Sequence, residues 1–316
     1  MRLIVEIDIP SHTGTLAYKG APGWCKPFPA VCPQPACHHN ALNPAINLTY
    51  DIIGDLMAEL ADALGPSSAS GELYLHLGGD ELLQDAFPPH TCWQNDPSIA
   101  AWMNATFTPG RDPRGLGGAV AYMNDKVEAM LASRHEMRAI RWEEAFYYSC
   151  CDAPTTHDPC PGGYQQSCAT SKETIVHHWR AGASWSGELV KLTSSNGFDM
   201  ISSAGWYLPG NASEFWNVDI CAGISAAACR AHVLGGGAAL WQADPAIVMA
   251  NAFGHAPVVA GALWQGGASG GSGAGAREPW EGGTEQRLRA FRCHLADRGV
   301  AAAPLGAKQA FGSCAR

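Results

Sequence analysis

The chain has 316 residues, 47% hydrophobic and only 16% charged, with 29 acidic side chains against 20 basic ones and a formal charge of −9 at pH 7. That length can bury a sizeable core in one large α/β domain. The acidic balance, with no basic stripe, excludes a nucleic-acid backbone as partner, and no apolar run of the ~18 to 20 residues a membrane span needs is read from the sequence.

In chain order, the apolar segment 3–8 reads as a first strand that runs into PSHTG. Segment 45–64 sets Ile52, Ile53, Leu56, Met57 and Leu60 at helical spacing, and 117–134 does the same. Further short strands are expected at 73–78, 139–142, 174–179, 199–203 and 238–241. Strands that alternate with helices imply a parallel sheet buried on both faces. The polar clusters IDIPSH, GGDE, RWEE, HHWR, SAGWYLPG and LWQAD fall at strand ends, where a β/α barrel carries its functional groups. The count of six strands is two short of an eight-stranded barrel. Segment 266–276 is a low-complexity Gly/Ser/Ala loop. The final helix, 284–299, sets Leu288, Phe291 and Leu295 on one face, with Gly299 as its stop. There is no internal repeat of fixed period.

Twelve cysteines, Cys25, Cys32, Cys37, Cys92, Cys150, Cys151, Cys160, Cys168, Cys221, Cys229, Cys293 and Cys314, lie mostly in Pro/Gly-rich sequence without repeated C-x2-C spacing. Disulfides in an oxidising compartment fit this better than zinc. Sequons at Asn47, Asn104 and Asn211 agree with that compartment as glycosylation candidates. The chain opens inside a strand rather than with a signal peptide, so a fragment or incomplete gene product is expected. Neither the histidine pair at 38–39 nor that at 177–178 has a carboxylate or cysteine at ligand spacing, and Gly235-Gly236-Gly237 reads as preceding a strand rather than a helix. No metal, nucleotide or other cofactor is therefore expected.

The most informative stretch is LYLHLGGDELL, 73–83. Side chains alternate along a strand, so adjacent Asp80 and Glu81 would face opposite ways if the pleat continued. Gly78-Gly79 ends the pleat and permits both to turn toward one pocket. Two close carboxylates do not ionise together easily, which leaves an acid beside an anion, as acid/base catalysis requires. Without further context, a DE pair is simply the first turn of a helix.

LHLGGDE, with EIDIPSH before it and WYLPG after it, resembles the catalytic barrel of glycoside hydrolase family 20, the β-N-acetylhexosaminidases of eukaryotic lysosomal type. The likeness continues in order through LNPAINLTYDII, TCW, RWEEAF, IVHHWR, LGGGAALWQAD and AFRCHLADRGVAAAPL. It implies a (β/α)8 TIM barrel, truncated at its N-terminus to about six strands, in a single catalytic domain over 1–316. It also implies an exo-acting glycosidase that removes terminal N-acetylhexosamines from glycans, in a lysosomal, vacuolar or secreted setting, with no membrane span and a homodimer as the expected assembly. In such enzymes the substrate's 2-acetamido oxygen is the nucleophile. By resemblance Glu81 is the acid/base, Asp80 holds the acetamido N–H, and Tyr207 donates to the acetamido oxygen. Trp142, Trp179 and Trp241 box the sugar, and His12 supports Glu81. One of Cys25, Cys32 and Cys37 pairs with Cys92, and Cys293 with Cys314.

The chain departs from that pattern in three places. The family's first two strands, with a sugar-gripping arginine and an aspartate, have no counterpart. Its W-G-E is Trp241-Gln242-Ala243, and its P-R-x-x-x-x-A-E-R-L-W block is APVVAGALW, 256–264. Loss of two charged anchors lowers kcat/KM by roughly two to four orders of magnitude if the losses add. A vestigial protein that binds N-acetyl sugars is therefore the alternative reading.

Overall fold

A computed structural model describes residues 4–13, 41–64, 73–82, 92–107, 116–135, 137–150, 170–180, 193–208, 210–241, 244–265, 277–306 and 314. It divides into two compact units, Met1–Val176 and His177–Arg316.

The first unit runs β1 (Val5–Glu6), α1 (Asn47–Leu64), β2 (Leu73–His76), α2 (Cys92–Asn95), α3 (Pro97–Thr106), α4 (Leu116–His135), β3 (Met137–Trp142) and α5 (Glu143–Cys150). The helical spacing of 45–64 is realised in α1. Ile53 and Met57 are buried, while Asp51, Asp55 and Glu59, four residues apart, stay on the wet side. Burying side chains of this size contributes about 1.5 to 3 kcal/mol each. Helix α4 buries Val120, Met123, Val127 and Leu131 on one face, with Glu128 on its buried flank. Helix α3 starts on Asp96, whose Oδ1 accepts from the amides of Ser98 and Ile99 at 2.8 and 3.1 Å. β1 pairs in parallel with β2, Glu6 opposite His76, and β2 with β3, Leu75 opposite Ala139. RWEE does not end in a loop: Glu143 and Glu144 open α5 and are fully buried.

β4 (Ile175–His178) crosses the division between the units. The second unit then holds β5 (Met200–Ser202), β6 (Tyr207–Leu208), α6 (Ala212–Asn217), α7 (Ala226–His232), β7 (Val233–Gly236), β8 (Ala239–Leu240), α8 (Pro245–Trp264), a π turn (Trp280–Thr284) and α9 (Glu285–Asp297). Its core gathers Trp206, Phe215, Trp216, Val258, Val259 and Trp280. The strand partner of β5 is β7, and the expected strand at 238–241 appears as β8, paired with β6. The glycines at 235 and 236 thus lie within a strand rather than before one. Gly236 is there because a Cβ would meet the Ser202 carbonyl at 2.4 Å and the Trp206 ring at 2.5 Å. Every pairing described within a unit is parallel, and none closes a barrel among the described residues.

Two expectations about helices are corrected. On α9 the inner seam is half-buried Leu288, buried Arg292 and half-buried Leu295, while Phe291 is 45% exposed. Arg292 can be buried because its Nε donates to the Ala302 carbonyl at 3.0 Å. Gly299, at φ 78°, stops the helix as expected. Residues Ile247–Trp264 of α8 are long and apolar enough to cross a membrane by length and composition. The sequence reading found no such run, because Asn251, His255 and Pro257 interrupt it. Val258, Val259 and Ala262 of this helix are fully or almost fully buried in the core of the second unit.

Cys293 is bonded to Cys314, as the resemblance implies, and Cys221 to Cys229, a pairing the sequence left open. Cys150 is also disulfide-bonded. Cys25, Cys32, Cys37, the Cys92 side chain and segment 266–276 lie outside the described residues.

Candidate active site

The end of β2 and the turn after β1 build one cluster in the first unit. Past β1 the Ile7 and Ile9 amides donate to the carbonyls of His76 and Leu77, each at 2.8 Å, so the two segments stay bonded to the edge of the Gly-Gly turn with a one-residue slip in register. Gly78 and Gly79 then take φ values of 59° and 100°, which break the pleat as the sequence predicts. Ser11 Oγ donates to the Asp80 carbonyl at 2.5 Å and ties the two turns together.

His12 stands between the two carboxylates. Its Nε2 lies 3.4 Å from Asp80 Oδ2 and 3.2 Å from Glu81 Oε2, with all three side chains partly buried. Asp80 and Glu81 are therefore neighbours in space with a proton-carrying ring between them, an arrangement suited to moving a proton. One ligand atom from each lies within 4.8 Å of the others. That spacing alone does not make them metal ligands. His12 and Glu81 have φ values of 56° and 55°, and among the described residues they alone occupy the left-handed region without being glycine. Such backbone costs about 1 to 3 kcal/mol per residue and persists only where the surroundings impose it.

Behind the cluster, Arg141 is fully buried. Its Nε donates to Glu128 Oε1 at 2.7 Å and its Nη1 to the Ile9 carbonyl at 3.0 Å. Glu128 Oε2 accepts in turn from Thr174 Oγ1 at 2.7 Å. Trp142 is 6% exposed, packs against His76 with the rings tilted by 58° and centroids 4.7 Å apart, and donates its Nε1 proton to Glu6 Oε1 at 2.8 Å. Burial and then the Arg141 charge hold His76 down to about 3, so it is neutral. Burial pushes the Asp8 carboxyl up to about 8, helped by the charges of Asp80 and Glu6.

In the second unit, Trp179 and Tyr207 lie with ring centroids 6.4 Å apart, and the Arg180 guanidinium stands 4.9 Å from the Trp179 ring. Trp241 is 68% exposed, and Gln242 and Ala243 lie outside the described residues. His178 is buried, its Nε2 3.2 Å from Thr193 Oγ1. Segment 256–264 is the second half of α8. Asn47, Asn104 and Asn211 are all exposed.

Sequence reasoning assigned no role to Glu6, Asp8, His76 or Arg141. Two acids at alternate positions of an otherwise apolar strand were the available signal for the first pair.

The family profile "Glycosyl hydrolase family 20, catalytic domain" matches residues 1–266. The rat beta-hexosaminidase subunit alpha is 25% identical over 315 residues, 96% of this chain and 50% of its own length. Beta-hexosaminidase 1 of Arabidopsis thaliana is 25% identical over 317 residues, 96% and 48% of the two chains. The chain thus spans about half the length of these curated relatives. A solved chitobiase from Flavobacterium johnsoniae shares the α/β fold with a TM-score of 0.66 at 20% identity, over 94% of this chain and 40% of that one. With the profile covering most of its length, the chain belongs to glycosyl hydrolase family 20.

Proposed function

We propose that this chain carries the chemistry of an exo-β-N-acetylhexosaminidase, hydrolysing terminal β-linked N-acetylglucosamine or N-acetylgalactosamine from glycans within a (β/α)8 framework. The observation that carries this reading is His12 Nε2 at 3.4 and 3.2 Å from Asp80 and Glu81.

In this reading Glu81 protonates the glycosidic oxygen while the substrate's acetamido oxygen attacks the anomeric carbon from the other face. Asp80 accepts the acetamido N–H, which orients that group and offsets the positive charge that grows as the oxazolinium ring forms. Glu81, now a carboxylate, takes a proton from water, which opens the ring with net retention. His12 holds both acids in place. Trp142, Trp179 and Trp241 offer flat apolar surfaces suited to pyranose C–H faces, and Tyr207 is the proposed donor to the acetamido oxygen. The disulfides support an oxidising compartment, lysosomal, vacuolar or secreted. The three exposed sequons are the proposed glycan acceptors.

The test is release of a chromophore from an aryl N-acetyl-β-glucosaminide by the purified chain. Release that a GlcNAc-thiazoline inhibitor blocks is the expected result. A folded chain that releases none loses this reading. Ala243, where the family pattern has glutamate, favours one rival, a vestigial binding protein. Thiazoline binding without turnover would select it.

A further inference from the structure

A second acid pair stands directly behind the first. Alternation along β1 sends Glu6 and Asp8 to one face and Ile7 and Ile9 to the other. The pairing of Glu6 with His76, continued by the Ile7 and Ile9 amides, brings Asp8 beside Gly78, two residues before Asp80. Asp8 packs so closely there that a Cβ on Gly78 would lie 2.0 Å from Asp8 Oδ1 and 2.8 Å from its Cα. That Oδ1 is buried and makes no hydrogen bond.

The charges around this pair do not neutralise it. The Arg141 guanidinium donates to Glu128 and the Ile9 carbonyl, and its buried Nη2 meets no hydrogen-bond partner among the described residues, the acid pair included. His76 Nδ1 accepts from the Gly78 amide at 3.1 Å, so it has no proton there for Glu6, whose Oε1 is 3.4 Å away. His12 stands against Asp80 and Glu81. Among the described residues, Glu6 accepts from the neutral Trp142 indole at 2.8 Å. Three carboxyl groups, Glu6, Asp8 and Asp80, thus stand close together, Asp8 and Asp80 partly buried and Glu6 42% exposed, and full ionisation of all three is unfavourable.

We propose that Asp8 is a positioning residue that works as a neutral acid, donating its proton to Glu6, so that Asp80 presents its negative charge to the substrate without a second anion beside it. The inference rests on Asp80 acting as the acetamido acceptor. Desolvation, then the charges of Asp80 and Glu6, and last the hydrogen bond to Glu6 all act in the same direction on Asp8. Ionised Asp8 would repel the Asp80 anion and so favour on Asp80 the proton that it must not hold.

The experiment compares wild type, Asp8→Asn and Asp8→Ala in the full chain. An amide reproduces the neutral acid, so Asp8→Asn is expected to keep at least about tenfold more kcat/KM than Asp8→Ala near pH 6. On aryl substrates, whose departure needs little of the Glu81 proton, the wild-type rate should fall as pH rises through about 8, and Asp8→Asn should lack that limb. An Asp8→Asn variant with the same alkaline limb, or with no more activity than Asp8→Ala, overturns the proposal.

Thermal unfolding gives a second readout that needs no turnover. Asp8 releases its proton near 3.8 when unfolded and near about 8 when folded. Between these values the folded chain binds more protons, so this group's contribution to stability falls with rising pH and levels off above about 8. Relative to Asp8→Asn, wild type should therefore lose melting temperature across that window, and identical pH dependence in the two proteins overturns the neutral acid. If Asp8→Asn does not fold, the protonated-carboxyl infrared band of wild type serves instead: it should persist at neutral pH and fade near about 8, and its absence at neutral pH also overturns the proposal. A chain without turnover removes the hexosaminidase reading but leaves the melting and infrared results to be read on their own.

Discussion

Replacing Glu81 by glutamine is expected to lower kcat/KM on oligosaccharide or alkyl N-acetyl-β-glucosaminides by about 10²- to 10⁴-fold, the usual contribution of a positioned general acid. The side chain keeps its size, and the contact with His12 at 3.2 Å can be kept by the amide oxygen. What is lost is the proton. An aryl leaving group departs with little protonation, so the first step on aryl substrates should suffer much less. The second step still needs a base to activate water, and added azide, which needs none, should restore part of the rate. Asp80→Asn should behave differently: its deficit lies in the acetamido-assisted step, so aryl and alkyl substrates should be slowed alike. Steady-state kinetics on a series of leaving groups separates the two. A Glu81→Gln enzyme with wild-type rates on oligosaccharides would end the assignment of Glu81 as the acid.

The second large effect is on stability. Arg141→Leu should cost about 3 to 5 kcal/mol, because removing one partner of a buried ion pair leaves the other charge uncompensated. Arg141 is 1% exposed and Glu128 8%, so little water can reach the stranded carboxylate. Glu128 would keep only the Thr174 hydroxyl, and the Ile9 carbonyl would lose its donor. Denaturant unfolding measures the loss. The double variant Arg141→Leu with Glu128→Leu should recover part of it, since an apolar pair of similar volume is often as stable as the ions it replaces. A loss below about 1 kcal/mol in the single variant would mean that the pair's desolvation penalty is already relieved in some other way.

How much of this was readable in the sequence depends on where each element gets its pattern. The strand ending in GGDE was legible as a short apolar run ended by two glycines, and the helix at 47–64 because its period-3.6 burial shows in the side chains themselves. β7 was not, since Val233–Gly236 ends in two glycines that carry no alternation. Helix α8 also escaped: it is apolar nearly all round, and a helix without a polar face has no direction for periodicity to report. On α9 the exchange of Phe291 for Arg292 at the inner seam depends on a carbonyl ten residues further along, which no local window contains. The DE pair was legible as chemistry, and His12 as its neighbour. The Glu6 and Asp8 carboxyls behind them were on the page as letters, but their meaning comes from the register that sets them against His76 and Gly78.

The left-handed backbone at His12 and Glu81 has an evolutionary corollary. Glycine adopts such angles without penalty, so at both positions the residue that best serves folding differs from the one this turn carries. A variant library screened only for resistance to heat would drift toward glycine at 12 and 81 and shed its acid/base pair on the way. If the proposed roles hold, histidine and glutamate at these two angles serve the chemistry at a cost to the fold.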